Sequence, residues 1–281
     1  MAVTAEMEAT PSLVSRLAWV AADSWTIARR HLAHIRSTPE RLSNVTIQPI
    51  MFVFMFAYIF GSAIVIPGGN YRQFLMPGIF TQSMAFASMT IMTGIVDDMA
   101  KGVMDRLRSL PMARAAILIG HTGANLIENL LGLAVMAACG LLVGWRPENG
   151  LGPTLSAGAL LLLFGFAMNW IGVFIGQFMR SVEGAQSLGF VVIMPFTFVA
   201  NTFVPTQGMP PWLRVIANWN PTSTIVAACR QLFGGLPTAP AQAAGAWPLA
   251  HPVIASLIWC VGLIAVFLPL AVWRFRWAMS R

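Results

Sequence analysis

Charged side chains are scarce in this chain of 281 residues: they make up only 10%, against about 25% in a typical soluble domain. Hydrophobic residues account for 57%, and the mean hydropathy is +0.71. The apolar runs are also far longer than the roughly 4–8 residues of a buried strand. This composition excludes a soluble α/β domain, because a water-exposed surface needs more polar residues than the chain contains.

Sequence motifs of catalysis are missing as well. There is no GxxxxGK[ST] stretch, so we expect no ATP bound through a P-loop, and neither GxSxG nor HExxH occurs. Cys139, Cys229 and Cys260 lie far apart without CxxC spacing, and the His31/His34 pair has no further ligand nearby. We therefore expect no enzyme activity, no metal and no cofactor bound by this chain.

Long apolar runs dominate what is present. A membrane helix needs about 20 apolar residues, and six runs qualify. Because they do not alternate in polarity as barrel strands do, the predicted fold is an all-α integral membrane protein. The fifth run contains Pro195, which should kink or break its helix. The predicted spans cover residues 45–66, 73–96, 115–143, 154–179, 185–204 and 250–273.

Basic residues follow the rule for membrane topology. If the N-terminus is cytoplasmic, 13 of the 17 Lys and Arg residues fall on inner segments and 4 on outer ones. The net charge of +7 is therefore read as topology and not as nucleic-acid binding. We expect a multi-pass protein of the plasma (inner) membrane with both termini cytoplasmic and no cleaved signal.

The first 44 residues divide into a flexible tail, residues 1–12, and an amphipathic segment, residues 13–44. Leu13, Leu17 and Val20 fall on one helical face and Arg16 on another. This pattern predicts a helix lying along the inner membrane surface. An ordinary cytosolic helix packed on a partner is the alternative.

The loop after the second span, residues 97–114, is rich in both acidic and basic residues. Met104, Leu107 and Leu110 are spaced three apart, so they share one face of a short amphipathic helix. Such a helix is suited to a groove on a partner protein. A solvated loop is equally compatible with the residues alone.

In the segment before the last span, residues 205–248, prolines and glycines mark the ends of two predicted short apolar helices. Pro210 and Trp212 begin the first helix, and Asn220–Pro221 separates it from a second that carries Arg230 and stops at Gly234. Neither is long enough to span. We predict re-entrant helices dipping into the outer leaflet or capping the bundle, with a structured outer loop as the alternative.

Ionisable groups inside a span are costly and are treated first as functional candidates. Glu128 lies in the middle of the third span, and Asn125 and Asn129 share its polar face, with His121 two turns before Glu128. These residues either line a substrate pathway or hydrogen-bond to neighbouring helices. The pairs Gly140/Gly144 and Gly172/Gly176 allow close helix contact and are weak evidence for dimer packing.

Two stretches resemble the membrane subunit of ABC-2 type exporters, particularly the daunorubicin-resistance type of permease. The first is Gly102–Val103–Met104–Asp105–Arg106–Leu107 followed by Leu110–Pro111. The second joins Phe203–Val204–Pro205 with Met209–Pro210–Pro211–Trp212–Leu213, Asn220–Pro221 and Ala228–Cys229–Arg230. The family usually has glutamate where this chain has Asp105. The resemblance covers nearly the whole chain.

This resemblance implies a mechanism. Two permease chains would form the pathway, with two separate ATPase subunits beneath them holding ATP and Mg. Residues 98–112 would form the coupling helix in a groove of the ATPase. The implied cargo is an amphipathic, drug-like molecule or a lipid moved out of the cell.

Two other classes of function are compatible with a polytopic protein. An autonomous carrier or channel would need a relay of intramembrane charges, and only Glu128 is evident. A membrane enzyme or scaffold would need a clustered polar site or a soluble domain, and neither is evident in the sequence.

Overall fold

The computed structural model describes residues 47, 50–60, 70–102, 114–203, 209–234 and 246–278. The predicted tail 1–12 and amphipathic helix 13–44 lie outside these residues. So does most of the loop predicted to couple the chain to a partner. Everything described is helix, turn or irregular backbone.

Within these described ranges, eight α-helices follow a helical segment that ends in a π-helical turn, Phe56–Phe60. They are α1 Tyr71–Ala100, α2 Arg114–Val143, α3 Leu151–Gly176, α4 Val182–Phe198, α5 Pro211–Trp219, α6 Pro221–Phe233, α7 Trp247–Ala250 and α8 Pro252–Ala278. Asparagine and serine caps start several of them: the side chains of Asn70, Ser181 and Asn220 accept hydrogen bonds from the first turns of α1, α4 and α6.

Four of these helices are long and apolar enough to cross a membrane: Tyr71–Ala100, His121–Val143, Leu151–Gly176 and Pro252–Phe275. They coincide with the second, third, fourth and sixth predicted runs and are candidate spans by length and composition. α4 has 17 residues, about 25 Å, which is shorter than the roughly 30 Å hydrocarbon core. It ends three residues after Pro195. The first predicted span is described only in part, so the described residues do not confirm six spans.

Hydrogen bonds gather the loops at one end of the bundle, here called the Tyr71 end. Arg72 Nη1 donates to Val143 O at 2.8 Å, and Gln73 Nε2 donates to Arg146 O at 2.9 Å. Glu148 N donates to Phe233 O at 2.8 Å. These contacts hold the start of α1, the α2–α3 connection and the end of α6 together.

The opposite end, here called the Asp98 end, is formed by the last turn of α1, the start of α2 and the ends of α3 and α8. Gln177 Nε2 donates to Ala271 O at 3.2 Å, and the Arg274 guanidinium lies 4.5 Å from the Phe178 ring centroid. Trp170 and Ile95 pack with Phe275 in the core at this end.

The helix pair α1 and α3 forms the centre of the bundle. A Cβ on Gly172 would collide with the backbone oxygen of Ser88, and one on Gly176 would lie 2.9 Å from Met92 O. Gly140 likewise faces Met76 of the same chain, whose terminal methyl carbon would lie 2.6 Å from an added Cβ. These glycines therefore permit close packing within one chain, and their part in a dimer contact stays a prediction.

The central helix α1 and the peripheral helix α8 differ in the share of their residues that is buried. In the most apolar window of α1, 67% of the residues are buried, whereas in that of α8 only 17% are. α6 is not long enough to be a span, yet residues 222–229 are buried between α1, α3 and α8. The core of this protein thus includes a short helix that sequence length alone would place in a loop.

Candidate functional site

The loop predicted to contact a partner begins directly after α1. Lys101 N donates to Asp97 O at 2.9 Å, and Lys101 Nζ contacts Asp97 Oδ2 at 2.7 Å. Gly102 follows with φ +63°, a conformation that glycine adopts without strain and that ends the helix. The other predicted coupling residues lie outside the described residues: Met104, Asp105, Arg106, Leu107, Leu110 and Pro111.

A polar cleft lies between α1 and α2 near the Asp98 end. Its volume is about 70 Å³. Its wall combines three carboxylates with an imidazole, an amide and a hydroxyl. These belong to Thr90, Asp97 and Asp98 on α1 and to His121, Asn125 and Glu128 on α2.

The two walls are joined by an ion-pair contact. His121 Nε2 lies 3.0 Å from Asp98 Oδ2, and both side chains are largely buried. This contact brings the last turn of α1 against the second turn of α2. Gly94 also lines the cleft, and an added Cβ there would meet no atom within 4 Å.

The three residues predicted as a pathway do not all lie at the cleft. Asn125 and Glu128 line the cleft, as a polar face would. Asn129 does not: its Nδ2 lies 3.1 Å from a Cβ placed on Gly165 of α3, so it packs across the bundle. The pathway interpretation therefore fits the geometry of Asn125 and Glu128, and the packing interpretation fits that of Asn129.

Buried polar atoms without partners mark this region. Asn125 is 6% exposed, and its Oδ1 has no hydrogen-bond partner among the described residues. Asn129 Nδ2 and both side-chain polar atoms of Asn169 on α3 share this condition. Burying a polar atom without a partner is costly, so these atoms indicate positions where a water or a ligand binds.

Sequence reasoning missed the contribution of α1 to the cleft. The predicted second span stopped at residue 96, so Asp97 and Asp98 were assigned to a loop. In the structure α1 continues to Ala100, and its last turn carries both carboxylates. The signal available in the sequence was their placement next to an uninterrupted helical pattern, opposite the polar start of the third span.

A second charged site, at the Tyr71 end, is built around Arg230. Arg230 Nε donates to Phe74 O at 3.0 Å, and Nη2 donates to Thr202 O at 3.1 Å. Its guanidinium carbon lies 3.5 Å from the centroid of the Phe74 ring, a cation–π distance. Both hydrogen bonds and the ring contact fasten α6 to α1 and to the turn after α4.

The helix pair predicted around this arginine is present. Pro210 precedes α5, Trp212 lies in its first turn with 66% exposure, and Pro221 is the first residue of α6. Asn220 joins them: its Oδ1 accepts from Thr222 N at 2.9 Å and its Nδ2 donates to Phe196 O at 2.7 Å. Pro205 lies outside the described residues.

Gly234 ends α6 with φ +77°. A Cβ there would lie 2.6 Å from Asn149 Oδ1. The backbone conformation favours glycine at this position, and an added Cβ would also displace the Asn149 side chain.

These observations define a multi-pass α-helical membrane protein with a polar cleft between two of its long helices. Comparison with known proteins gives its class. The ABC-2 type transporter family matches residues 23–233, which is most of the chain. The chain belongs to the ABC-2 type transporter family, and the resemblance seen in its sequence is confirmed.

Similar proteins are permeases. The chain is 31% identical over 249 residues to the daunorubicin resistance ABC transporter permease protein DrrB1 of Streptomyces coeruleorubidus, covering 88% of this chain and 83% of that one. It is 26% identical over 230 residues to the probable doxorubicin resistance ABC transporter permease protein DrrC of Mycobacterium tuberculosis, covering 80% and 78%. A putative transport permease, ycf38, of Pyropia yezoensis is 23% identical over 202 residues, covering 70% and 69%.

Proposed function

We propose that this chain is the membrane-spanning permease of an ATP-driven exporter, powered by a separate ABC-type ATPase. The observation that carries the proposal is the family match over residues 23–233, together with four long apolar helices. The sequence contains no P-loop motif, so the energy has to come from another chain. ATP and Mg are held by that partner.

Coupling is assigned to the segment between α1 and α2. Gly102, Met104, Asp105, Arg106, Leu107, Leu110 and Pro111 carry the resemblance to the family pattern. Support comes from α1, which extends to Ala100 and is capped by Lys101, so the segment follows a rigid, central helix. A push on this segment would be transmitted along α1, because α1 is closely packed on α3 through Gly172 and Gly176.

The cargo is an amphipathic small molecule or a lipid. The relatives' names concern resistance to daunorubicin and doxorubicin, which supports a drug-like molecule. Asn125 and Glu128 would contact it at the cleft, and Asn129 would hold the neighbouring helix. The outer helix pair, α5 and α6, would form a re-entrant element that closes the path at the Tyr71 end.

Two permease chains and two ATPases make the working complex, in the plasma membrane with both permease termini cytoplasmic. Exposed apolar side chains on α8, among them Ile254, Ile258 and Val261, leave a face for lipid or for a second copy. The excess of Lys and Arg on the inner segments supports the orientation.

The test is the composition of the complex. The tagged chain is solubilised from its native membrane in mild detergent, and co-purifying proteins are identified and quantified by mass spectrometry. A P-loop ATPase at about one copy per permease is the expected result. Recovery of the permease alone, under conditions that keep a known ABC complex intact, would contradict the proposal.

Coupling is tested by substitution. Replacing Asp105, Arg106 or Leu107 with Ala should leave membrane insertion and complex formation in place, while transport per ATP hydrolysed falls at least several-fold. Glu183→Ala, an exposed carboxylate on the first turn of α4, is the matched control. Unchanged transport in all three loop variants would remove this segment as the coupling element.

An autonomous carrier is the second candidate, because the cleft places an imidazole among three carboxylates. Groups of this kind can exchange protons across a pathway. This candidate predicts uptake into vesicles that contain only this chain, driven by a pH gradient without ATP. Transport that requires the ATPase and ATP would exclude it.

A further inference from the structure

We propose that the α1–α2 cleft binds the protonated amine of an amphipathic molecule, so that this permease selects organic ammonium compounds. The inference rests on the proposed function, since it names a chemical feature of the cargo. The observation behind it is one small cavity lined from two helices by residues that carry acceptor groups.

The cleft is rich in acceptors. Asp97, Asp98 and Glu128 bring three carboxylates to its wall. Asn125 adds an amide oxygen that is buried and has no hydrogen-bond partner among the described residues. An ammonium group offers up to three N–H donors, and carboxylate and amide oxygens are both acceptors for such donors.

Acidic groups outnumber basic groups on the wall of the cleft. Its lining holds three carboxylates and one imidazole, that of His121, which contacts Asp98. Lys101 is 66% exposed and pairs with Asp97 at the outer edge, where water screens it. A carboxylate accepts several hydrogen bonds at once, so one that is already paired can accept from a further donor. A cation entering the cleft would therefore be attracted into it.

A metal ion does not fit this arrangement as well as an organic cation does. Among the described residues, no three His, Cys, Asp or Glu side chains are grouped closely enough to hold a metal. The volume of about 70 Å³ corresponds to roughly five water molecules at 10–15 Å³ each. It admits a primary amine and a few carbons, while Ile91 and Ala124 of the lining offer apolar contact to those carbons.

The first measurement uses monodansylcadaverine, a fluorescent alkyl primary amine, and its N-acetyl derivative, which is neutral. Each is titrated against the full chain in nanodiscs of phosphatidylcholine, which carries no net charge, and binding is followed by the dansyl emission. The amine should bind about tenfold more tightly than the acetyl derivative, the value of one charge-assisted hydrogen bond. Equal affinities would overturn the proposal.

The second measurement removes one negative charge. Glu128→Gln keeps the size of the side chain and should weaken amine binding about tenfold, with binding of the acetyl derivative unchanged. Glu183→Gln removes the same charge from an exposed position on α4 and should leave both affinities as they are. If Glu183→Gln weakened amine binding as much as Glu128→Gln, the amine would be held by surface charge, and the site would be refuted.

The third measurement fills the cleft without touching a polar group. Gly94→Leu adds a side chain to open space at the cleft wall, and leucine favours a helix over glycine, so the variant should fold. It should reduce amine binding at least tenfold. Gly158→Leu, on α3 and also facing open space, is the matched control and should bind as the wild type does. Wild-type affinity in Gly94→Leu would place the amine elsewhere and overturn the proposal.

These experiments need no ATPase, so their failure is separable from failure of the exporter proposal. A chain that co-purifies with an ATPase but binds both probes equally is an exporter without amine selection. If the chain discriminates the probes but has no ATPase partner, amine binding at the cleft is supported and the exporter proposal is contradicted.

Discussion

The two charged regions of this protein use polar groups in opposite ways. At the Tyr71 end, Arg230 is enclosed by a ring face and two backbone oxygens, and its hydrogen bonds fasten three elements together. At the Asp98 end, three carboxylates and an amide oxygen surround an open cleft, and within the described part of the chain that amide oxygen has no partner. The first region uses its polar groups to hold the fold, whereas the second presents acceptors to a cavity.

This difference separates residues that stabilise from residues that can bind. A charge enclosed by partners stabilises a fold only if every partner remains in place, so its removal is costly. A polar atom left without a partner costs stability already, and its removal costs little. Substitutions at the Tyr71 end should therefore mainly lower stability. Substitutions at the Asp98 end should mainly lower binding, with little loss of stability.

The largest effect is expected for Arg230→Met. It removes two charge-assisted hydrogen bonds and the contact with the Phe74 ring, a loss of about 3 kcal/mol. The unfolding temperature of the detergent-solubilised chain should fall by several degrees, measured by tryptophan emission during heating. Arg214→Met, which removes an exposed arginine from α5, should cost less than about 1 kcal/mol. Equal unfolding temperatures for the two variants would remove the distinction drawn for Arg230.

An intermediate effect is expected for Gly172→Ala, at the contact between α1 and α3. The new Cβ would meet the backbone oxygen of Ser88, so α1 and α3 must separate, at about 1–3 kcal/mol. Gly158→Ala on the same helix faces open space and should be neutral or stabilising by up to about 1 kcal/mol. Thermal unfolding of the pair compares them directly. Equal unfolding temperatures for the two variants would contradict the close approach of α1 and α3 at Gly172.

The smallest effect on stability is expected for Asn125→Leu, in the cleft. It removes an amide oxygen that is buried without a partner among the described residues, so the unfolding temperature should change by less than the equivalent of about 1 kcal/mol. The same variant should lower the affinity for monodansylcadaverine. A large loss of stability with unchanged amine binding would assign Asn125 to the structural side of the comparison.

Much of the architecture followed from the sequence. The runs 73–96, 115–143, 154–179 and 250–273 correspond to α1, α2, α3 and α8, because apolar length governs insertion and leaves little freedom. The short helices α5 and α6 were predicted from the prolines and glycines that bound them. Their start and stop signals are local, so they do not depend on what lies around them.

The candidate site was predicted less completely, since it depends on which faces meet. Glu128 and Asn125 line the cleft, yet Asn129, only one residue away from Glu128, turns to α3. The angular step of 100° per residue places neighbours on different faces, and only the positions of α1 and α3 decide which face is which. The coupling residues from Met104 to Pro111 remain a prediction from resemblance.

The sequence by itself determined that this is a helical membrane protein, because 57% hydrophobic residues in runs of about 20 have no other stable arrangement. It also determined the family, through its loop motifs and its pair of short helices before the last apolar run. Only the tertiary structure decided that Gly172 and Gly176 serve α1 within the same chain, and that Asp98 meets His121 across a cleft. Those contacts join residues far apart in the chain, and their distance and direction are set by helix packing, which no local pattern encodes.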